Sequence, residues 1–148
     1  MSVKSLISAM LTVLLALNVV STASCTATTE PANQQNPAQI IENIPPQEAL
    51  NLIQENQDNA AFVIIDVRTP EEFTVEHIEN AINIDFNSEN FGDELNKLDK
   101  DKTYLIYCRS GNRSGKALEI MEELDFREVY NMSSGIIEWK AEGLPTIK

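Results

Sequence analysis

Two short runs, Ala61–Val67 (AFVIIDV) and Thr103–Tyr107 (TYLIY), are almost continuously apolar and rich in β-branched or aromatic residues. A strand built from such a run has no polar face, so it must be covered on both sides. Weaker versions recur at Ala81–Ile84 (AINI) and Glu128–Met132 (EVYNM). Helical patterns lie between them. Pro46 opens one that carries Leu50, Leu52 and Ile53, and Thr69-Pro70-Glu71-Glu72 reads as a capping box with proline in the first helical position. Phe91, Leu95 and Leu98 mark a third, and Leu118, Ile120, Met121 and Leu124 a fourth. Ile136, Ile137 and Trp139 fit a last short helix closed by Gly143 and Pro145. Strands alternating with helices predict an α/β fold, a mostly parallel central sheet with helices on both faces. Ligands of such sheets bind beyond the carboxyl ends of the strands.

This pattern occupies residues 40–148, enough for one domain with one core. What precedes it reads differently. Leu6–Val20 is an apolar run broken only by Ser8, Thr12 and Asn18, preceded by Lys4 and followed by small residues up to Cys25. It is shorter than the ~20 residues a membrane-spanning helix needs. Residues 1–24 are therefore expected to be a secretory signal. The boundary "TASC" resembles the lipobox of bacterial lipoproteins, with Thr22 where an apolar residue is usual, and this makes Cys25 a lipidation site by resemblance. Residues 25–39 hold no aromatic or large aliphatic side chain and read as a flexible tether. The expected location is the cell envelope or periplasm, with membrane contact only through the N-terminal lipid.

Charge removes other classes. Cleavage after residue 24 leaves 23 Asp and Glu against 10 Lys and Arg, a poor nucleic-acid binder because that interaction depends on neutralising phosphates. One histidine and two cysteines cannot supply a four-ligand zinc site, so neither a metal nor a cofactor is expected. If Cys25 is acylated, Cys108 remains as a lone thiol in an oxidising compartment.

Cys108 stands where the second apolar run stops, in "LIYCRSGNRSGKA". A loop curling from a strand end into a helix start directs backbone N–H groups inward, because the first N–H groups of a helix have no partner in it. Gly111 and Gly115 permit close backbone approach. Such a ring of donors is an anion site and favours the sulfur as thiolate. A helix dipole supplies only about 0.3–1 kcal/mol, against ~1.4 kcal/mol for each pKa unit. Direct N–H contacts to sulfur and the guanidinium groups of Arg109 and Arg113 must therefore contribute the rest.

The loop "CRSGNRS" resembles the active-site loop of single-domain rhodanese-like sulfurtransferases. "IIDVRTPEEFTVEHIENAINI" (64–84) resembles that family's upstream signature, and "VYNMSSGIIEWKAEGLP" (129–145) its ending. Two departures affect turns expected near the sheet edge: Glu79-Asn80 replaces the common Pro-Gly, and Ser133-Ser134-Gly135 the usual double glycine. The resemblance implies that Cys108 takes a sulfane sulfur from a small anionic donor such as thiosulfate, a polysulfide or a persulfide. The resulting persulfide then passes to a thiol, a protein sulfur acceptor or cyanide. Arg109, Ser110, Gly111, Asn112, Arg113 and Ser114 would bind the donor. Two other readings stay open: a carrier that delivers one persulfide without turnover, and a phosphatase or arsenate reductase. The latter pair uses a loop one residue longer than the C-x4-R spacing here.

Asp66 and Arg68 are supporting candidates that could orient the loop, with Arg68 paired to Glu71 or Glu72 as the plain structural alternative. His77 is expected to pack or to bond a turn, and Trp139 to anchor the last helix.

Overall fold

The computed structural model describes residues 38–148. The signal, Cys25 and nearly all of the tether lie outside the described residues. Five strands and five helices alternate: β1 (Ile40–Ile44), α1 (Pro46–Glu55), β2 (Phe62–Asp66), α2 (Pro70–Val75), β3 (Ala81–Asn83), α3 (Phe91–Asn96), β4 (Thr103–Tyr107), α4 (Asn112–Glu123), β5 (Glu128–Met132) and α5 (Gly135–Ala141). The strands form one sheet in the order β1-β5-β4-β2-β3. Every pairing is parallel.

Alternation along each strand divides the core. Tyr104, Ile106 and Cys108 face the side covered by α3 and α4, where Leu95, Ala117, Leu118 and Met121 pack. Leu105 and Tyr107 face the other side, with Ala49 of α1 and Ile136 and Trp139 of α5. Helices thus cover both faces, as the apolar runs predict. The most central strand, β4, is also the one with no polar face, and Leu105, Ile106 and Tyr107 are wholly buried.

Local signals fix several element ends. Thr69 Oγ1 accepts from the Glu72 N–H at 3.4 Å while Glu72 Oε2 accepts from the Thr69 N–H at 3.3 Å, the capping box at the start of α2. The Trp139 indole N–H donates to the Pro145 carbonyl (2.9 Å), which folds the C-terminal segment under α5. His77 is structural. Its ring stacks on Phe73 with centroids 3.9 Å apart, and its backbone exchanges hydrogen bonds with Ile147. β1 has no strong signature of its own; it is an edge strand held along its length by β5.

Candidate active site

The site is built where β4 ends. Tyr107 lies in register with Asp66 on β2, so both strands release their loops at one level of the sheet. Cys108 comes next and is 1% exposed. Gly111 has φ +89°, and a Cβ there would fall 1.6 Å from the Ser133 carbonyl oxygen. Only glycine lets the chain turn this closely and enter α4. The Gly111 N–H then donates to Cys108 Sγ at 3.1 Å. Ser114 Oγ sits 3.5 Å from the sulfur and 3.4 Å from the Gly111 carbonyl oxygen. No side chain caps α4. The sulfur receives the donors that a capping oxygen would ordinarily take.

The carbonyl groups of the loop go elsewhere. Ile136 N–H donates to the Cys108 carbonyl at 2.9 Å and Ile137 N–H to that of Arg109 at 3.1 Å. These are orphan donors of the first turn of α5. Turned toward α5, the carbonyl dipoles leave the loop N–H groups to face the sulfur. Gly135 makes the contact possible: its φ is +64°, and a Cβ would lie 2.5 Å from the Arg109 carbonyl carbon. The Ser133-Ser134-Gly135 turn is therefore not a feature of the sheet edge, as the sequence suggested. β5 is an interior strand, and its turn abuts the cysteine loop. Glu79-Asn80 does lead into the edge strand β3, and Asn80 adopts the positive φ (64°) that glycine would favour.

Two opposing influences set the thiol. Burial pushes the pKa of Cys108 up, while hydrogen bonds from the Ser114 hydroxyl and the N–H groups of Ser114, Ser110 and Gly111 pull it down. The donors prevail, and the thiol titrates below its ordinary value. No histidine takes part.

The surrounding charges are mostly committed to one another. Arg68 does not take Glu71 or Glu72 as its hydrogen-bond partner. Its guanidinium chelates Asp66, with Nη2 2.6 Å from Oδ2, and Nη2 also donates to the Glu76 carbonyl. Arg113 donates from Nη1 and Nη2 to the two carboxylate oxygens of Glu72, at 2.7 and 3.0 Å. Lys140 pairs with Glu76. Of the two arginines expected to meet an anion, only Arg109 has no ion-pair partner among the described residues. It is exposed, as are Ser110 and Asn112. Arg109 lines a cavity of about 340 Å³, whose walls are Arg68, Glu72 and Glu76 on one side and Ile136, Ile137 and Lys140 on the other. A larger cavity of about 640 Å³, between α1 and Trp139, contains no residue of the cysteine loop. Among the described residues no cluster of His, Cys, Asp or Glu could hold a metal ion.

Sequence reasoning did not single out Glu72 as a partner of Arg113, nor Gly135 as a support of the loop. Glu72 was visible only as a capping residue, and Gly135 only as a turn.

Residues 45–142 match the family described as Rhodanese-like domain. A sulfurtransferase of Allochromatium vinosum is 31% identical over 97 residues, which cover 66% of this chain and 89% of that protein. The uncharacterized protein slr1261 of Synechocystis is 34% identical over 96 residues, and the chain spans 52% of its length. A crystal structure of a rhodanese-related protein from Thermoplasma volcanium superposes with a TM-score of 0.59 at 31% identity, covering 72% of this chain and 97% of that one. With its family match, its parallel five-stranded sheet and a cysteine loop at the end of β4, this chain belongs to the rhodanese-like domain family.

Proposed function

We propose that this protein is a sulfurtransferase that works through a persulfide on Cys108. The observation that carries the reading is the geometry at the sulfur. A Gly111 N–H at 3.1 Å and the Ser114 hydroxyl at 3.5 Å favour thiolate in a loop whose carbonyls are held by α5. The Cys108 thiolate attacks the outer sulfur of a donor, and the bond from that sulfur to the rest of the donor breaks. The remainder leaves with the electron pair, as sulfite from thiosulfate or as a thiolate from an alkyl persulfide. The new terminal sulfur carries the negative charge and is stabilised by the same loop N–H groups. An acceptor thiolate or cyanide then attacks that terminal sulfur, and Cys108 leaves as thiolate, ready for the next cycle.

Arg109 would draw the anionic donor to the mouth, and Ile136 and Ile137 would exclude water from one side of the cavity. The sulfurtransferase name of the Allochromatium relative supports this chemistry. The C-x4-R spacing supports a sulfur-sized cradle over a phosphate-sized one. The N-terminal sequence supports export and attachment through Cys25, which the mass of the mature N-terminus would test.

Mass spectrometry after incubation with thiosulfate or an alkyl persulfide is expected to show one added sulfur atom on Cys108. Cys108→Ser is expected to abolish both loading and turnover. A Cys108→Ser protein as active as the wild type would overturn the assignment. Loading without multiple turnover on small acceptors would convert the enzyme into a carrier.

A further inference from the structure

The charges around the sulfur loop form three closed pairs, and one of them controls the loop's own arginine. Arg113 is the second residue of α4, two positions after Gly111, and its charge lies within electrostatic reach of the Cys108 sulfur. Yet both ends of its guanidinium are taken by Glu72, from the first turn of α2. Glu72 is itself fixed, since Oε2 also accepts the Thr69 N–H in the capping box. Both side chains are largely shielded, at 21% and 30% exposure. With Arg68 paired to Asp66 and Lys140 to Glu76, the mouth retains, among the described residues, a single positive side chain with no ion-pair partner, Arg109.

We propose that Glu72 is a specificity-determining residue: by holding Arg113, it tunes the loop toward monoanionic alkyl persulfides and against dianionic thiosulfate as the donor. This rests on the sulfurtransferase reading and deepens it. Arg109 and the Cys108 thiolate balance, so a monoanionic donor leaves one negative charge uncompensated at the mouth. A dianion leaves two, in a chain whose net charge is already −12. Thiosulfate could recruit Arg113 only by displacing a carboxylate that the fold tethers beside it, at the high effective concentration of an intramolecular partner. Glu72 acts through Arg113 and touches no reacting atom, so it is a positioning residue.

Glu72→Gln suits the test because the amide oxygen can still accept the Thr69 N–H, and the cap of α2 is kept. We would measure kcat/KM for thiosulfate and for 2-hydroxyethyl persulfide, a monoanion, at one ionic strength, in the wild type, Glu72→Gln, Arg113→Gln and the double variant, with melting temperatures as a check on folding. Freeing Arg113 should raise the thiosulfate-to-persulfide ratio roughly tenfold, the scale of one hydrogen bond to a charged group. The gain should lie mainly in KM, and the pH midpoint for alkylation of Cys108 should fall, a readout that a merely structural role would not move. The double variant should return to the wild-type ratio, because the neutral pair again leaves only Arg109. An unchanged ratio in folded Glu72→Gln, or a shift that persists when Arg113 is also replaced, overturns the inference while the sulfurtransferase reading stands. Failure of wild-type Cys108 to load from either donor overturns that reading, and the inference with it.

Discussion

Two loops leave adjacent parallel strands at the same height, one after β2 at Asp66 and one after β4 at Tyr107. Their central groups are about equally hidden: Asp66 is 0% exposed, Arg68 4% and Cys108 1%. They differ in how their hydrogen bonds close. In the first loop the carboxylate, the guanidinium and the carbonyls are held by one another and by Asn83 of β3. Asp66 takes the Arg68 backbone N–H and its guanidinium, and Asn83 Nδ2 donates to the carbonyls of both Asp66 and Arg68 at 2.8 Å. The Arg68 guanidinium also lies 5.8 Å from the centroid of the Tyr107 ring. In the second loop the carbonyls are answered by α5, while the N–H groups converge on one sulfur that can change its charge and its length. Burial therefore does not separate structural from chemical groups here. What separates them is whether the buried acceptor can take on a second atom without breaking the network around it.

The largest effect should come from opening the closed loop. Arg68→Met leaves the Asp66 carboxylate buried without its partner, and breaking a buried pair in this way costs about 3–5 kcal/mol. Urea unfolding should show that loss, and Asp66→Asn combined with Arg68→Met should recover much of it, because no unpaired charge remains. Cys108→Ala, by contrast, vacates a small buried acceptor and should cost less, about 1–2 kcal/mol, while ending sulfur transfer. If Arg68→Met and Cys108→Ala were equally destabilising, the distinction between the two loops would fail.

A smaller loss of stability with a large loss of activity should follow from deforming the open loop. Gly135→Ala forces a side chain into positive φ and against the Arg109 carbonyl. Such strain costs about 1–3 kcal/mol. It also moves α5 away from the carbonyls it holds, and a displacement near 1 Å can lower turnover on the order of a hundredfold. The variant should therefore fold and melt cooperatively yet load sulfur on Cys108 far more slowly than the wild type. A folded Gly135→Ala protein that loads at the wild-type rate would show that α5 does not set the loop.

Both loops could be placed from the sequence, but their inner wiring could not. The apolar runs at Ala61–Val67 and Thr103–Tyr107 demand burial on two sides, so sheet, helices and the exit point of Cys108 follow from local pattern. The capping box at Thr69–Glu72 is equally local. β1 was missed because a short edge strand, IIENI, gains its order from pairing with β5, nearly ninety positions away in register (Ile40 with Glu128). The partners of charged groups are harder still. Arg68 had Glu71 and Glu72 nearby in sequence, yet the turn after β2 folds it back onto Asp66. Arg113 and Glu72 lie 41 residues apart and meet only because α2 and α4 begin on the same side of the sheet's carboxyl end. The Ser133–Gly135 turn carries no sign of its role, since that role is contact with a loop on the neighbouring strand.

The smallest effect, and the most specific, concerns the two serines of the loop. The sequence made their hydroxyls equal candidates; the structure gives only that of Ser114 to the sulfur. Ser110 contributes its backbone N–H, and its side chain is exposed. Because the native pKa of Cys108 lies below that of the unfolded chain, the thiolate stabilises the folded protein. That contribution is complete above the ordinary thiol value of about 8.5 and is lost as pH falls through the lowered native value. Ser114→Ala removes one donor, moves the native pKa back up and narrows that window. The rate of iodoacetamide alkylation of Cys108, followed against pH, should shift its midpoint upward in Ser114→Ala and stay in place in Ser110→Ala. Sulfur loading at neutral pH should fall several-fold in the first variant alone, the scale of one neutral hydrogen bond of about 1 kcal/mol. Equal shifts in both serine variants would mean that the hydroxyls act through solvent, and the sulfur would then owe its charge to the backbone by itself.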